Sequence, residues 1–154
     1  LGTVVICIDG GCTNNGTPSA RAGLGVYFGP NSPLNLSERV EDGEQTSQRA
    51  VLRAAVRALQ QVQIALRDDI KTRKIVLLSD SKYLVDGITI FIHAWKENGW
   101  KGADGKPVVN QKDFKELDEL IPVLEEDGLN VEFWYASREY NQSADKLATE
   151  ACAA

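Results

Sequence analysis

With 154 residues, 43% of them hydrophobic and 25% charged, the chain has the composition of a soluble globular domain long enough to bury a real core. No apolar run approaches the ~20 residues that a bilayer span needs, and no basic region precedes the apolar N-terminal run as it would in a secretory leader. A net charge of −5 excludes binding carried by overall basicity and leaves room only for a local basic patch.

There is no Met, and the first residue is Leu1, so the chain reads as a processed product or a piece of something longer. It carries no repeat, low-complexity tract or linker, and one domain over 1–154 is expected. Cys7, Cys12 and Cys152 are odd in number and have no metal-like spacing. They read as three free thiols in a reducing, intracellular compartment. A zinc site would need more Cys or His, and His93 is the single histidine.

In chain order, 3–9 reads as a strand whose apolar residues Val4, Val5, Ile6 and Ile8 suit burial on both faces. The loop 10–20 follows, rich in Gly, Asn, Thr, Pro and Ser. A second strand spans 22–28, with Gly23 and Gly25 marking bends or close approaches. After a turn at 29–33, a half-buried third strand spans 34–40, and the three make an antiparallel meander. Thr46 and Ser47 offer a helix cap. From 48 to about 67, Leu52, Ala55, Val56, Leu59, Val62 and Leu66 recur at helical spacing. Residues 75–80 form a buried strand ending in Asp80, and helices on either side make it a parallel strand reached by a crossover. Ser81 caps a helix carrying Tyr83, Leu84, Ile88, Phe91, Ile92 and Trp95. A loop at 98–110, a helix at 113–124 with Pro122 near its end, a strand at 130–135 and a helix from 142 to about 152 complete the chain. The fold class is α/β, a mixed five-stranded sheet flanked by helices.

Asp9 ends the first strand. A carboxylate inside an apolar strand costs several kcal/mol unless paired or bound to a cation. It reads either as the cap of an Asp-Gly turn or as a metal ligand on a rigid strand. Ligands of such sheets gather at strand carboxyl ends, where Asp80 also stands, and Asp145 on the first turn of the last helix can join them. Three carboxylates that close repel unless a divalent cation neutralises them. Alternatively, Asp80 caps its own helix and Asp145 complements the dipole of its helix.

Asp9-Gly10-Gly11-Cys12, Asn15-Gly16 and the run Arg21 to Pro30 resemble the start of a eukaryotic-type (type 1) ribonuclease H catalytic domain. So do Gln45-Thr46, Gln48-Arg49-Ala50, Ser79-Asp80-Ser81, Gly87-Ile88-Thr89, Trp95-Lys96, Asn98 to Lys101, Asn110 and Asn141 to Ala148. The resemblance spans essentially the whole chain and implies a ribonuclease H-like fold. It further implies a site of four carboxylates holding Mg²⁺, or Mn²⁺, for two-metal hydrolysis of the RNA strand of an RNA–DNA hybrid. Asp9, Asp80 and Asp145 match three of the four. The fourth, a Glu that also contacts the ribose 2′-OH, falls at position 51, which is Val51.

Other departures lie close by. Glu44 stands where the family has an Arg against a DNA phosphate, and Ser47 replaces an Asn that contacts the hybrid. The loop Ala136-Ser137-Arg138-Glu139-Tyr140 is shorter than the family's and lacks its His. Thr46 and Asn110 keep the rest of the phosphate pocket. By the same resemblance Asn15 and Gln48 are minor-groove contacts. Trp95, Lys96, Trp100 and Lys101 belong to a hybrid-binding protrusion, with Trp95 also expected to pack in the helix core. The expectation is a ribonuclease H-like domain that binds hybrid or a protein partner with weakened metal binding and impaired or absent catalysis. The alternative is an active Mg²⁺-dependent endoribonuclease.

Overall fold

The computed structural model describes residues 2–154. Its strands are β1 (Thr3–Thr13), β2 (Arg21–Tyr27), β3 (Leu36–Arg39), β4 (Lys74–Ser79) and β5 (Asn130–Tyr135). They lie side by side in the order β3-β2-β1-β4-β5. β1, β2 and β3 pair antiparallel, whereas β4 runs parallel to β1 and β5 parallel to β4. The mixed sheet expected from the alternation of strands and helices is therefore present.

The helices are α1 (Ser47–Ala65), α2 (Lys82–Asp86), α3 (Ile92–Glu97), α4 (Gln111–Glu126) and α5 (Gln142–Ala153). Thr46 caps α1, its hydroxyl accepting the Arg49 N–H at 3.1 Å, and Ser81 caps α2 by accepting the Leu84 N–H at 3.1 Å. Each cap satisfies an N–H that the helix itself cannot. The single helix expected after Ser81 is split by a π-helical turn at Gly87–Phe91. A Cβ on Gly87 would stand 2.6 Å from the Phe114 ring, so the backbone there presses against α4. Pro122 does not end α4, which continues to Glu126.

β1 differs from expectation in two ways. It runs on through Gly10 and Gly11 to Thr13, so Asp9-Gly10 makes no turn. It is also covered unevenly: Ile6 and Ile8 are fully buried, yet Val5 is 45% exposed. α1 covers one face of β1, whereas α5 packs on β1, β2 and β3 and leaves the sheet's other end open on its side. The core lies between the sheet and α1, with Leu52, Val56, Leu59, Leu77, Leu84 and Phe114 buried in it.

The glycines of β1 and β2 let helices approach the sheet. A Cβ on Gly10 would stand 2.3 Å from the Val51 amide nitrogen. A Cβ on Gly25 would stand 2.2 Å from the Ala144 carbonyl oxygen, and one on Gly23 2.7 Å from Ala151 Cβ. Contacts that short leave no space for a side chain. α1 is thus seated on one face beside Gly10, and α5 on the other beside Gly23 and Gly25.

Candidate functional site

Cys7 of β1 pairs with Leu78 of β4, and the same register carried two residues on sets Asp9 beside Asp80. Antiparallel to it, Asp9 pairs with Gly25, whose bare Cα lets the first turn of α5 settle on the sheet. That turn carries Asp145. Sheet register and one glycine contact therefore bring the three expected carboxylates to one end of the sheet.

Asp9 is 6% exposed. Burial, the Asp80 charge and a hydrogen bond shared with Asp145 push its carboxyl up to about 8, only partly offset by the Gly10 N–H. A buried carboxylate held between two others has every physical reason to stay protonated unless a cation arrives. Among the described residues no group of three His, Cys, Asp or Glu side chains is placed so that it could hold a metal ion. Asp80 and Asp145 each stand near enough to Asp9 to raise its carboxyl. Carboxylate oxygens are the donors a hard cation takes, but as the three stand here they do not make a site for one.

Neither of the two capping alternatives holds for Asp9 and Asp80. Asp9 lies inside the longer β1, and Ser81, not Asp80, caps α2. Asp145 does lie in the first turn of α5, where its charge complements the helix dipole whatever else it does.

Val51 is 3% exposed and belongs to the apolar core. Its amide lies against Gly10, the residue after Asp9. Position 51 therefore adjoins the carboxylates, but its side chain offers no oxygen.

The other expected contacts lie in the loop after β1, at the start of α1, and around α3 and the turn before α4. Thr46 and Ser47 are half-buried and Gln48 is exposed, all at the start of α1. Glu44 and Asn15 are exposed near them, and Glu44 and Thr46 line the same shallow cleft as Gly16 and Pro18. Asn110 adopts a left-handed conformation (φ 60°) ahead of α4 and donates to the Tyr83 hydroxyl at 3.1 Å.

Trp95 stacks edge-on to Phe114 at 5.0 Å and lies 5.8 Å from Trp100. It is half-buried, so it both packs and lines the surface. Trp100 lies under the Lys115 ammonium at 5.1 Å. Lys101 is exposed, and Lys96 is bound to Asp118 at 2.7 Å.

Two residues near the carboxylates are not apparent from sequence alone. Asn141 is 1% exposed and donates to the Ile8 carbonyl at 2.8 Å. Arg138 makes an ion pair with Asp80 at 3.5 Å. The signal for Asn141 is an Asn just before a helix with an Asp four residues on. Nothing local marks Arg138.

A third group is structural. Arg49, Arg53 and Arg57, four residues apart on α1, face a charged cleft of about 790 Å³. Arg49 and Arg53 bind Asp113 at 3.2 and 3.4 Å, and Arg57 binds Glu38 at 2.8 Å. These pairs tie α1 to α4 and β3, and their guanidinium charges are already matched.

Residues 2–153 match the family model described as RNase H. The chain is 40% identical over 148 residues to mouse "Ribonuclease H1", covering 96% of this chain and 50% of that protein. It is 35% identical over 153 residues to "Ribonuclease H" of Maricaulis maris, covering 99% and 95%. The chain thus spans about half the length of the mammalian relative and nearly all of the bacterial one. Among solved structures, LC11-RNase H1 in complex with RNA/DNA hybrid superposes with a TM-score of 0.67 at 23% identity, covering 97% and 96%. That likeness carries the fold.

Proposed function

The chain belongs to the ribonuclease H family, and from that membership we propose that it is a hybrid-binding domain whose hydrolytic step is impaired. The observation that carries this reading is Val51. It is 3% exposed, packed in the apolar core and seated by Gly10 next to Asp9. A Glu in its place would bring a fourth carboxylate to the site. Valine brings none.

Asp9, Asp80 and Asp145 would hold Mg²⁺ or Mn²⁺, and the bound ion would supply an activated water and charge neutralisation at the scissile phosphate. The chain's own share is to hold the carboxylates together on β1, β4 and α5. Trp95, Trp100 and Lys101 would offer aromatic faces and a positive charge to the DNA strand. Asn15, Thr46, Ser47, Gln48 and Asn110 would supply polar contacts along the groove. Loss of a residue that touches the reacting groups commonly costs several kcal/mol of transition-state stabilisation.

A second reading keeps the enzyme. Three carboxylates are retained, and relatives 35–40% identical are named ribonucleases H. On this reading the chain hydrolyses the RNA strand of hybrids with Mg²⁺, water standing in for the missing ligand.

A labelled RNA–DNA hybrid incubated with Mg²⁺ or Mn²⁺ separates the two. The impaired reading expects binding without turnover in the natural chain and cleavage in the Val51→Glu variant. Cleavage by the natural chain that vanishes in Asp9→Asn would establish the second reading instead.

A further inference from the structure

β5 ends the sheet, and among the described residues it pairs with β4 alone. The Asn130 N–H donates to the Arg73 carbonyl at 2.8 Å, and the Ala136 N–H to the Ser79 carbonyl at 2.9 Å. Backbone groups alternate sides along a strand, so Glu132 and Trp134 also turn their N–H and C=O toward β4. Val131, Phe133 and Tyr135 turn theirs outward, to a free edge. Such an edge is a template for another strand unless a charge, a proline or a bulge guards it.

β5 has neither a proline nor an unmatched charge. Val131, Phe133, Trp134 and Tyr135 are residue types that favour strands. The one charge, Glu132, is matched on its own sheet. Its carboxylate accepts from Trp134 Nε1 at 2.9 Å and from Asn130 Nδ2 at 3.0 Å, and pairs with Lys74 at 3.2 Å. Glu132 and Trp134 lie on the face that α5 leaves open, in register with Val76 and Leu78 of β4, and Val5 of β1 lies beyond Val76. Trp134 and Tyr135 are each 49% exposed, so the free edge borders an apolar surface.

The strand is also complementary to itself. Set antiparallel to a second β5 about Phe133, it places Phe133 against the partner's Phe133 and Val131 against the partner's Tyr135. Each of these facing pairs exchanges both N–H···O bonds. On the open face Glu132 then meets the partner's Trp134, which keeps the two Glu132 carboxylates apart. Centring the strands on Glu132 would instead set like charges directly opposite.

We propose that the outer edge of β5 is a pairing surface for a second copy of this chain, joining two five-stranded sheets across a two-fold axis. Two six-residue strands make a small interface, so the pair is transient and forms at high local concentration. It uses none of the residues read above as contacts to hybrid.

The test is sedimentation equilibrium in EDTA over about 5 to 500 µM chain, the range of a weak pair, for the natural chain, Tyr135→Pro and Tyr135→Thr. Proline at 135 removes an outward N–H that β4 does not use and sets its ring on the edge. Threonine keeps the N–H and the strand preference. The natural chain and Tyr135→Thr should rise from 16.9 kDa toward twice that mass, and Tyr135→Pro should associate roughly tenfold more weakly. Matching melting curves of the three dilute chains verify folding. Residue-resolved hydrogen exchange of the natural chain gives a second readout that needs no variant. The amides of Val131, Phe133 and Tyr135 should gain protection as concentration rises, while those of Glu132 and Trp134 are protected throughout. A mass of 16.9 kDa at every concentration, equal association by Tyr135→Pro, or no gain of protection at the three outward amides overturns the proposal.

Discussion

Asn141 bonds both sides of the carboxylate site. Its side-chain amide donates to the Ile8 carbonyl at 2.8 Å, and its own carbonyl accepts the Asp145 N–H at 3.0 Å. Ile8 precedes Asp9, so one buried residue links the backbones that carry two of the three carboxylates. Its Oδ1 is buried without a partner, so the contact to Ile8 outweighs the cost of that orphan atom. In Asn141→Ala the Ile8 carbonyl is left unpaired beside the site. The expected loss is about 1–3 kcal/mol, read as a lower urea midpoint with an unchanged slope. A loss under about 0.5 kcal/mol would mean that water or the helix replaces the bond.

The buried acid at Asp9 makes stability depend on pH. Its carboxyl is pushed from the ordinary 3.8 up to about 8 in the folded chain. The folded form holds a proton that the unfolded chain has lost between these values. Stability from this group is therefore full below about pH 4 and is lost as pH rises toward 8. In EDTA the natural chain should melt lower relative to Asp9→Asn at pH 8 than at pH 5. A shift in the gap of about 5 °C is expected for a destabilisation of ~1–3 kcal/mol. A gap that stays constant with pH would show that Asp9 ionises freely. Mg²⁺ should narrow the gap at pH 8 if the carboxylates bind it.

The antiparallel meander, the parallel crossover strand and the long amphipathic α1 were legible because buried strands and a 3.6-residue period leave local marks. What was not legible depends on distant contacts. Asp9-Gly10-Gly11 looks like a turn, yet it stays in β1 because α1 needs the space at Gly10 and Cys152 of α5 faces Gly11 at 3.5 Å from its Cβ position. The π-helical turn depends on Gly87 pressing on Phe114, a neighbour 27 residues on in number only. Val5 reads as core, but α5 does not reach across to cover it. Arg138, in the turn before α5, pairs with Asp80 just past the end of β4, a contact that no local pattern signals.

Position 51 is where the family assignment and the chain disagree most sharply, and it can be tested without turnover. Val51 is 3% exposed in an apolar cluster. A Glu there must desolvate its charge or keep its proton. In EDTA at pH 8, Val51→Glu should be less stable than the natural chain by about 1–4 kcal/mol. Millimolar Mg²⁺ should restore much of that loss, because a metal that binds only the folded chain stabilises it by mass action. If Mg²⁺ raises the melting temperatures of Val51→Glu and the natural chain equally, position 51 does not face the metal, and its Val is simply core.

Glu44 tests the hybrid groove by salt dependence. It is exposed and lines the cleft next to Thr46. Its backbone carbonyl, not its carboxylate, accepts from Arg49 at 3.3 Å, so changing the side chain leaves that bond in place. A carboxylate here repels a phosphate of the DNA strand, and an arginine attracts it with two donors. Glu44→Arg should therefore bind hybrid about tenfold more tightly near 0.1 M salt, and the slope of log K against log salt should steepen by roughly one. The measurement is a fluorescence anisotropy titration of labelled hybrid in EDTA at several salt concentrations, which keeps metal and cleavage out of the result. An affinity gain of that size with no change in slope would place the effect elsewhere than at a phosphate. No gain at all would mean that the strand does not pass the start of α1, and that Thr46 serves there only as the helix cap.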